Sequence, residues 1–255
     1  MPVAVDFYYS VCEGSEEGLR PPVVLIHGAG GTHLYWPAEM RRLPGYRMYA
    51  LDLPGHGKSG GRGQQSIPAY AQAVLEWLEA VGLHQAVFVG HSMGSAIAMA
   101  LALDHAEHVL GLCLVGAGAR LRVAPALLES ASSPSTFYSA VETVVRCSFS
   151  SQVKPRLLEL ATKRMAETRP SVLYGDFLAC DAFDEIGRVA SIRQPSLILC
   201  GADDQMTPVR YAQFLADGLP RATLKTIPDA GHMVMLEQPM AVAKALADFL
   251  VSVPY

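Results

Sequence analysis

The sequence predicts an α/β protein: a mostly parallel central sheet flanked by helices, with a small helical cap inserted late in the chain. Three observations carry that prediction. Short, nearly continuous apolar runs recur along the chain, as strands covered on both faces require. Stretches with helical spacing separate them, which is the alternation of a parallel sheet. One long segment, residues 120–193, interrupts the alternation and contains no good strand.

Residues 3–12 alternate Val, Val, Phe and Tyr and predict one antiparallel edge strand. The apolar runs at 23–26, 47–51, 86–89, 110–115, 196–200 and 222–227 predict six further strands, mostly bounded by Gly, Pro or Asp. Residues 67–81 carry Tyr70, Val74, Trp77, Leu78 and Val81 at helical spacing, with Ser66 as N-cap and Pro68 in the first turn. Residues 93–103 and 240–251 read as further helices. Within the insertion, 141–145 and 156–165 read as helical. The expected organisation is a core of residues 1–119 and 194–255 under a helical cap of residues 120–193.

Size and charge narrow the class. A chain of 255 residues that is 51% hydrophobic and 17% charged can bury one sizeable core. Its net charge of -4 leaves no global basic surface for nucleic acid and no polybasic tail for a membrane. Residues 1–6 lack the basic and apolar regions of a signal peptide, and no apolar run approaches the ~18 residues that span a bilayer. Five scattered cysteines without a C-x-x-C pair predict free thiols in a cytoplasmic protein, with no disulfide and no zinc site.

The chemistry is read from three short motifs. Gly90-His-Ser-Met-Gly94 matches G-x-S-x-G, and a strand runs into it while an Ala-rich helix leaves it. A serine at the tip of such a turn takes a strained backbone, so its flanking positions must be small. Ser92 is therefore the expected nucleophile. Acyl transfer also needs two fixed amide donors for the oxyanion. Met93 N–H, at the start of the following helix, is one. The other comes from His27-Gly-Ala-Gly-Gly31, after the 23–26 strand, with Ala29 the expected donor and Gly30 the fallback. His27 itself is expected to brace that loop.

A general base must lie downstream. Asp229-Ala-Gly-His-Met233 follows the last strand, and its His232 is the expected base. His33 and His56, in loops near the site, remain rivals, whereas the side chain of His91 is expected to point away from the serine. The orienting acid should leave the preceding strand, where Asp203 and Asp204 both stand; Asp204, ahead of Thr207-Pro208, is the choice. The order Ser92, Asp204, His232 differs from both protease orders.

With His27-Gly28, residues 52–59 (Asp-Leu-Pro-Gly-His-Gly-Lys-Ser), Gly90 to Gly94, residues 201–204 and Gly231-His232 in place, the chain resembles the α/β-hydrolase fold superfamily along essentially its whole length. The resemblance implies an eight-stranded sheet, one more strand than the seven counted. Within the superfamily the chain most resembles small capped carboxylesterases, including the type that cleaves pimeloyl methyl esters on acyl carrier protein. Dehalogenases and epoxide hydrolases of this fold use Asp where Ser92 stands. The haloperoxidase type places Pro where Gly30 stands, and ring-cleavage carbon–carbon hydrolases carry H-G-x-G-P-G, where this chain has Thr32 after Gly31.

Other features read as ordinary structure. Gly57-Lys-Ser59 lacks the P-loop glycine five positions earlier, where Asp52 stands, and reads as a turn. His105 and His108 lack a third metal ligand. About half of Phe137, Tyr138, Phe149, Tyr174, Phe177 and Phe183 should pack cap on core, the rest lining an acyl pocket. Lys154, Arg156, Lys163, Arg164 and Arg169 read as a solvated cap face, or as a dock for an acidic acyl-carrier-type partner. The expected function is hydrolysis of small or medium carboxylic esters, with a small-molecule ester as substrate and no cofactor and no metal. The alternatives are carbon–carbon bond hydrolysis or perhydrolysis on the same triad, and a ligand-binding signalling protein that retains it.

Overall fold

The seven strand-like runs become eight strands in the computed structural model, which describes residues 3–14 and 20–255. They are β1 (Val3–Ala4), β2 (Phe7–Cys12), β3 (Val23–Ile26), β4 (Met48–Leu51), β5 (Ala86–His91), β6 (Val109–Val115), β7 (Ser196–Gly201) and β8 (Ala222–Ile227). They form one sheet in the order β1-β2-β4-β3-β5-β6-β7-β8. The β1–β2 and β2–β4 pairs are antiparallel and all the others parallel.

The N-terminal expectation needs correction. Residues 3–12 form a two-strand hairpin rather than one edge strand. Val5 and Asp6 both take positive φ, 47° and 67°, the backbone of a tight hairpin turn. The eighth strand comes from this division. The 222–227 run was also expected to be covered on both faces. It lies at the sheet edge instead, with Thr223, Lys225 and Thr226 exposed.

Period-two side chains divide the core into two layers. Val24, Ile26 and Phe88 enter one apolar cluster, which also contains residues of α2 (Ile67–Ala80), α3 (Met93–Asp104) and α8 (Val209–Gly218). Val23, Leu25, Val87 and Val89 enter the other, with residues of α1 (Ala38–Arg41) and α10 (Pro239–Ser252). Ser66 caps α2 by accepting the Ala69 N–H at 3.3 Å, as its sequence position suggests. Trp77 is fully buried, with ring centroids 5.3 Å from Tyr9, 5.5 Å from Tyr49 and 6.4 Å from Phe7.

Between β6 and β7 the chain builds four helices where the sequence marked only two: α4 (Pro125–Ser132), α5 (Phe137–Ser148), α6 (Pro155–Ala166) and α7 (Pro170–Ala182). Residues of α7 are buried on several sides, so this helix has no apolar stripe to read. Among the described residues no helix is long and apolar enough to cross a membrane. The strand order matters most for the site. β3 pairs with β4 on one side and β5 on the other, so the connection direction reverses there. A crevice at such a switch point receives the loops after β3 and β5.

Trp77 ties the N-terminal hairpin to α2. Trp77→Ala should cost about 3–5 kcal/mol, read as a lower urea midpoint in chemical denaturation.

Candidate active site

Ser92 stands between β5 and α3 with φ 51° and ψ -115°. A non-glycine residue adopts that conformation only when its surroundings enforce it. Here the enforcement is a close approach of backbones. A Cβ on Gly90 would lie 2.1 Å from Gly94 O, and one on Gly94 would lie 2.2 Å from Ile26 O. Ser92 N–H donates to Val115 O at 2.9 Å, while Ser95 returns its N–H and its hydroxyl to Ser92 O at 2.8 and 2.6 Å. Met93 opens α3, so its N–H is among those with no acceptor inside the helix.

The loop after β3 meets this elbow edge to edge. A Cβ on Gly28 would lie 2.8 Å from His91 Nδ1 and 3.2 Å from Ser92 Cβ. His27 braces the loop as expected: its Nδ1–H donates to Gly28 O at 2.8 Å and its Nε2 accepts from Leu53 N at 3.0 Å. Burial, then the charge of His56, lower its pKa to about 4, so it stays neutral. Ala29 N–H has no acceptor among the described residues. Gly30 N–H is already engaged, donating to Asp176 Oδ2 at 2.8 Å.

His232 and Asp204 are brought into direct contact. His232 Nδ1–H donates to Asp204 Oδ2 at 2.9 Å, and both side chains are buried. Thr207 joins them: its hydroxyl donates to Asp204 Oδ2 at 2.9 Å, with its oxygen 3.1 Å from His232 Nδ1. The N–H groups of Met206 and Thr207 donate to Asp204 Oδ1 at 2.9 and 2.8 Å. Burial alone would raise the Asp204 pKa, but His232 and Thr207 outweigh it and keep the carboxylate ionised below its usual range. Asp203 is exposed.

The imidazole of His232 lies over Gly116, where a Cβ would stand 2.9 Å from its Nδ1. Gly116 follows Val115, whose carbonyl holds Ser92 N–H, so serine and ring share one strand end. No hydrogen bond joins Ser92 Oγ to the ring among the described residues. Such bonds often tighten only when substrate is bound.

His91 packs against His232. It is buried, its ring centroid is 4.7 Å from that of His232, and its Nε2–H donates to His232 O at 3.1 Å. Burial first, then the His232 ring, lower its pKa to about 3. Glu237, in α9 (Val234–Glu237), holds the histidine loop by accepting the N–H groups of Gly231 at 2.7 Å and Ser150 at 3.0 Å.

The rival histidines are otherwise committed. His33 Nδ1 pairs with Asp52 at 2.8 Å, and Asp52 also takes Lys58 N–H at 2.9 Å, which makes the 57–59 segment a braced turn. His56 pairs with Asp176 at 2.8 Å and donates to Pro54 O at 3.1 Å. Thr168, Asp176, Thr207 and Glu237 escaped the sequence reading. No local motif marks them, although Thr207-Pro208 was noted beside the acid. Among the described residues no cluster of three or more His, Cys, Asp or Glu is placed to hold a metal ion.

A left-handed serine at a strand–helix turn, under two loops from a doubly wound sheet, defines a hydrolase architecture. Residues 21–239 match the family model described as alpha/beta hydrolase fold, and the chain belongs to that family. It is 34% identical to a solved thermophilic esterase, covering 98% of this chain and 96% of that one, with a TM-score of 0.83. It is 29% identical to the pimeloyl-[acyl-carrier protein] methyl ester esterase of Aromatoleum aromaticum, over 90% of this chain and 98% of that protein. A Caulobacter protein with the provisional name carbamate hydrolase RutD is 27% identical over 96% of each.

The two buried neutral histidines make stability depend on pH. Their folded pKa values, about 4 and about 3, lie below the unfolded value of 6.5. The unfolded chain thus binds more protons between those limits, and stability falls as pH drops through that window. His56, whose pKa is raised, is charged in both states below 6.5 and adds little slope there. Denaturation midpoints measured from pH 6.5 to 4 should show a loss on the order of several kcal/mol, and His91→Gln should flatten the curve.

Proposed function

We propose that the protein is a serine hydrolase that cleaves carboxylic esters of small or medium acyl groups through an acyl-enzyme. The observation that carries this reading is Ser92, held in a left-handed conformation by Val115 O, beside a buried His232–Asp204 pair. Because His232 Nδ1 carries the proton shared with Asp204, its Nε2 is left as the base. That nitrogen takes the Ser92 proton as the oxygen attacks the ester carbonyl and later returns it to the departing alcohol. Water then resolves the acyl-enzyme by the same route.

The oxyanion is received by the N–H groups of Met93 and Ala29. Gly30 is set aside as a donor because Asp176 already holds its N–H. Residues 120–193 serve as a cap over the crevice, and the buried cap aromatics Phe137, Phe149, Phe177 and Phe183 contribute packing there. The similarity to esterases supports an ester substrate. An acidic carrier partner has less to bind than the sequence suggested. Arg164 donates to Leu34 O and Arg169 to Gly61 O, leaving Lys154, Arg156 and Lys163 outward. Five free thiols fit a reducing compartment such as the cytoplasm.

Ser92→Ala should lower turnover of a p-nitrophenyl ester by ~10⁴ or more, by analogy with other serine triads. Near-wild-type turnover in that variant would overturn the assignment. Asp204→Asn should also cost about 10⁴ in kcat, measured at neutral pH with active sites titrated by a fluorophosphonate.

A further inference from the structure

The loop that carries Ala29 is gripped by the cap, not only by the sheet that bears it. Gly30 has φ 62°, and both of its backbone polar groups are taken by residues of the insertion. Its N–H donates to Asp176 Oδ2 at 2.8 Å, and its carbonyl accepts the Thr168 hydroxyl at 3.0 Å. A Cβ here would stand 2.8 Å from Leu173 Cδ1 and 3.3 Å from Met165 Cγ, again in the insertion. Both polar partners are buried, Asp176 completely.

Asp176 is in turn tied to the core. Tyr70 OH donates to its Oδ1 at 2.5 Å, and His56 Nε2 donates to its Oδ2 at 2.8 Å. Both His56 nitrogens face acceptors, Pro54 O and Asp176, so both carry protons and the ring is an imidazolium. Around the carboxylate, the charged or titratable groups include His56, Tyr70, the buried Cys180 thiol and, beyond His56, His27 and Asp52. A buried ion pair is a weak stabiliser, because desolvation cancels much of its attraction. Its strength here is directional: two core donors fix one carboxylate, and that carboxylate fixes one peptide N–H.

We propose that Asp176 and Thr168 are positioning residues of the oxyanion hole, holding the Gly30 peptide so that the adjacent Ala29 N–H aims at the reacting carbonyl. This rests on the acyl-enzyme reading above. The Ala29–Gly30 peptide is planar, so pinning its N–H restricts the backbone rotation of Ala29 itself. Catalysis demands that the donor meet the developing charge within a few tenths of an ångström. The cap is then part of the catalytic apparatus: while it is displaced from the core, one oxyanion donor loses its alignment.

The test uses the whole enzyme with Thr168→Val, Asp176→Asn and Asp176→Leu. kcat and KM for a p-nitrophenyl ester are measured per titrated site, together with affinity for a trifluoromethyl ketone, whose adduct needs the hole. Thr168→Val and Asp176→Leu should lower kcat about 10–100-fold, a fraction of the 10²–10³ lost with a whole donor, with KM within about two-fold of wild type. Ketone affinity should fall in parallel, and Asp176→Asn, which keeps an acceptor for Gly30 N–H, should recover part of both. Should Asp176→Leu fail to fold, Thr168→Val, which keeps the side-chain shape, carries the test. Lower thermal stability with unchanged kcat and ketone affinity per site would overturn the positioning role while leaving the acyl-enzyme intact. A wild-type enzyme that neither reacts with fluorophosphonate nor turns over esters would overturn both.

Discussion

The contact on which the molecule depends is the approach of Gly94 to the end of β3. Its Cα sits so close to the carbonyl of Ile26 that no side chain fits between them, and Gly90 lies as tightly against Gly94. This lets α3 start directly behind the strand and turns residue 92 outward at positive φ. It also sets the loop after β3 beside the elbow, where Gly28 touches both His91 and Ser92. The reversal of strand order between β4, β3 and β5 leaves the crevice into which both loops open. Strain at one residue thus persists because the packing around it has no alternative.

Around that crevice, five buried histidines show how partners rather than residue type set chemistry. His27 has one carbonyl and one amide N–H as neighbours and stays neutral. His91 has a single carbonyl, and its other nitrogen faces no partner. His56 faces a carbonyl and a carboxylate, which together hold it protonated. His33 and His232 each meet one aspartate through Nδ1. Only His232 combines this pairing with a place on the strand end that holds Ser92.

The helices inserted between β6 and β7 add to this arrangement. Their residues reach the loop after β3 through Gly30, while the chain just after α5 reaches the His232 loop through Glu237 and Ser150. Met233 N–H also donates to Ser148 O at 2.9 Å. Both loops that face Ser92 are therefore fixed by contacts from the inserted helices.

What the sequence by itself determined is everything that depends on neighbours a few residues apart. Nearly continuous apolar runs specify the central strands, the Ser66 cap and Pro68 mark the start of α2, and G-x-S-x-G specifies the elbow, because each rests on local geometry. Residues 3–12 misled because positive φ is rare for a β-branched residue such as Val5, so the alternating pattern hid the turn it makes with Asp6. Helices α4 and α7 carried no readable stripe. Only the tertiary structure showed that the Gly30 N–H is committed to Asp176, and only it revealed Thr168, Asp176 and Glu237. The contact from Asp176 to Gly30 spans 146 residues of chain, and a lone aspartate among aromatic and small residues leaves no periodic trace. Contacts of that range become visible only when folding has brought the two segments together.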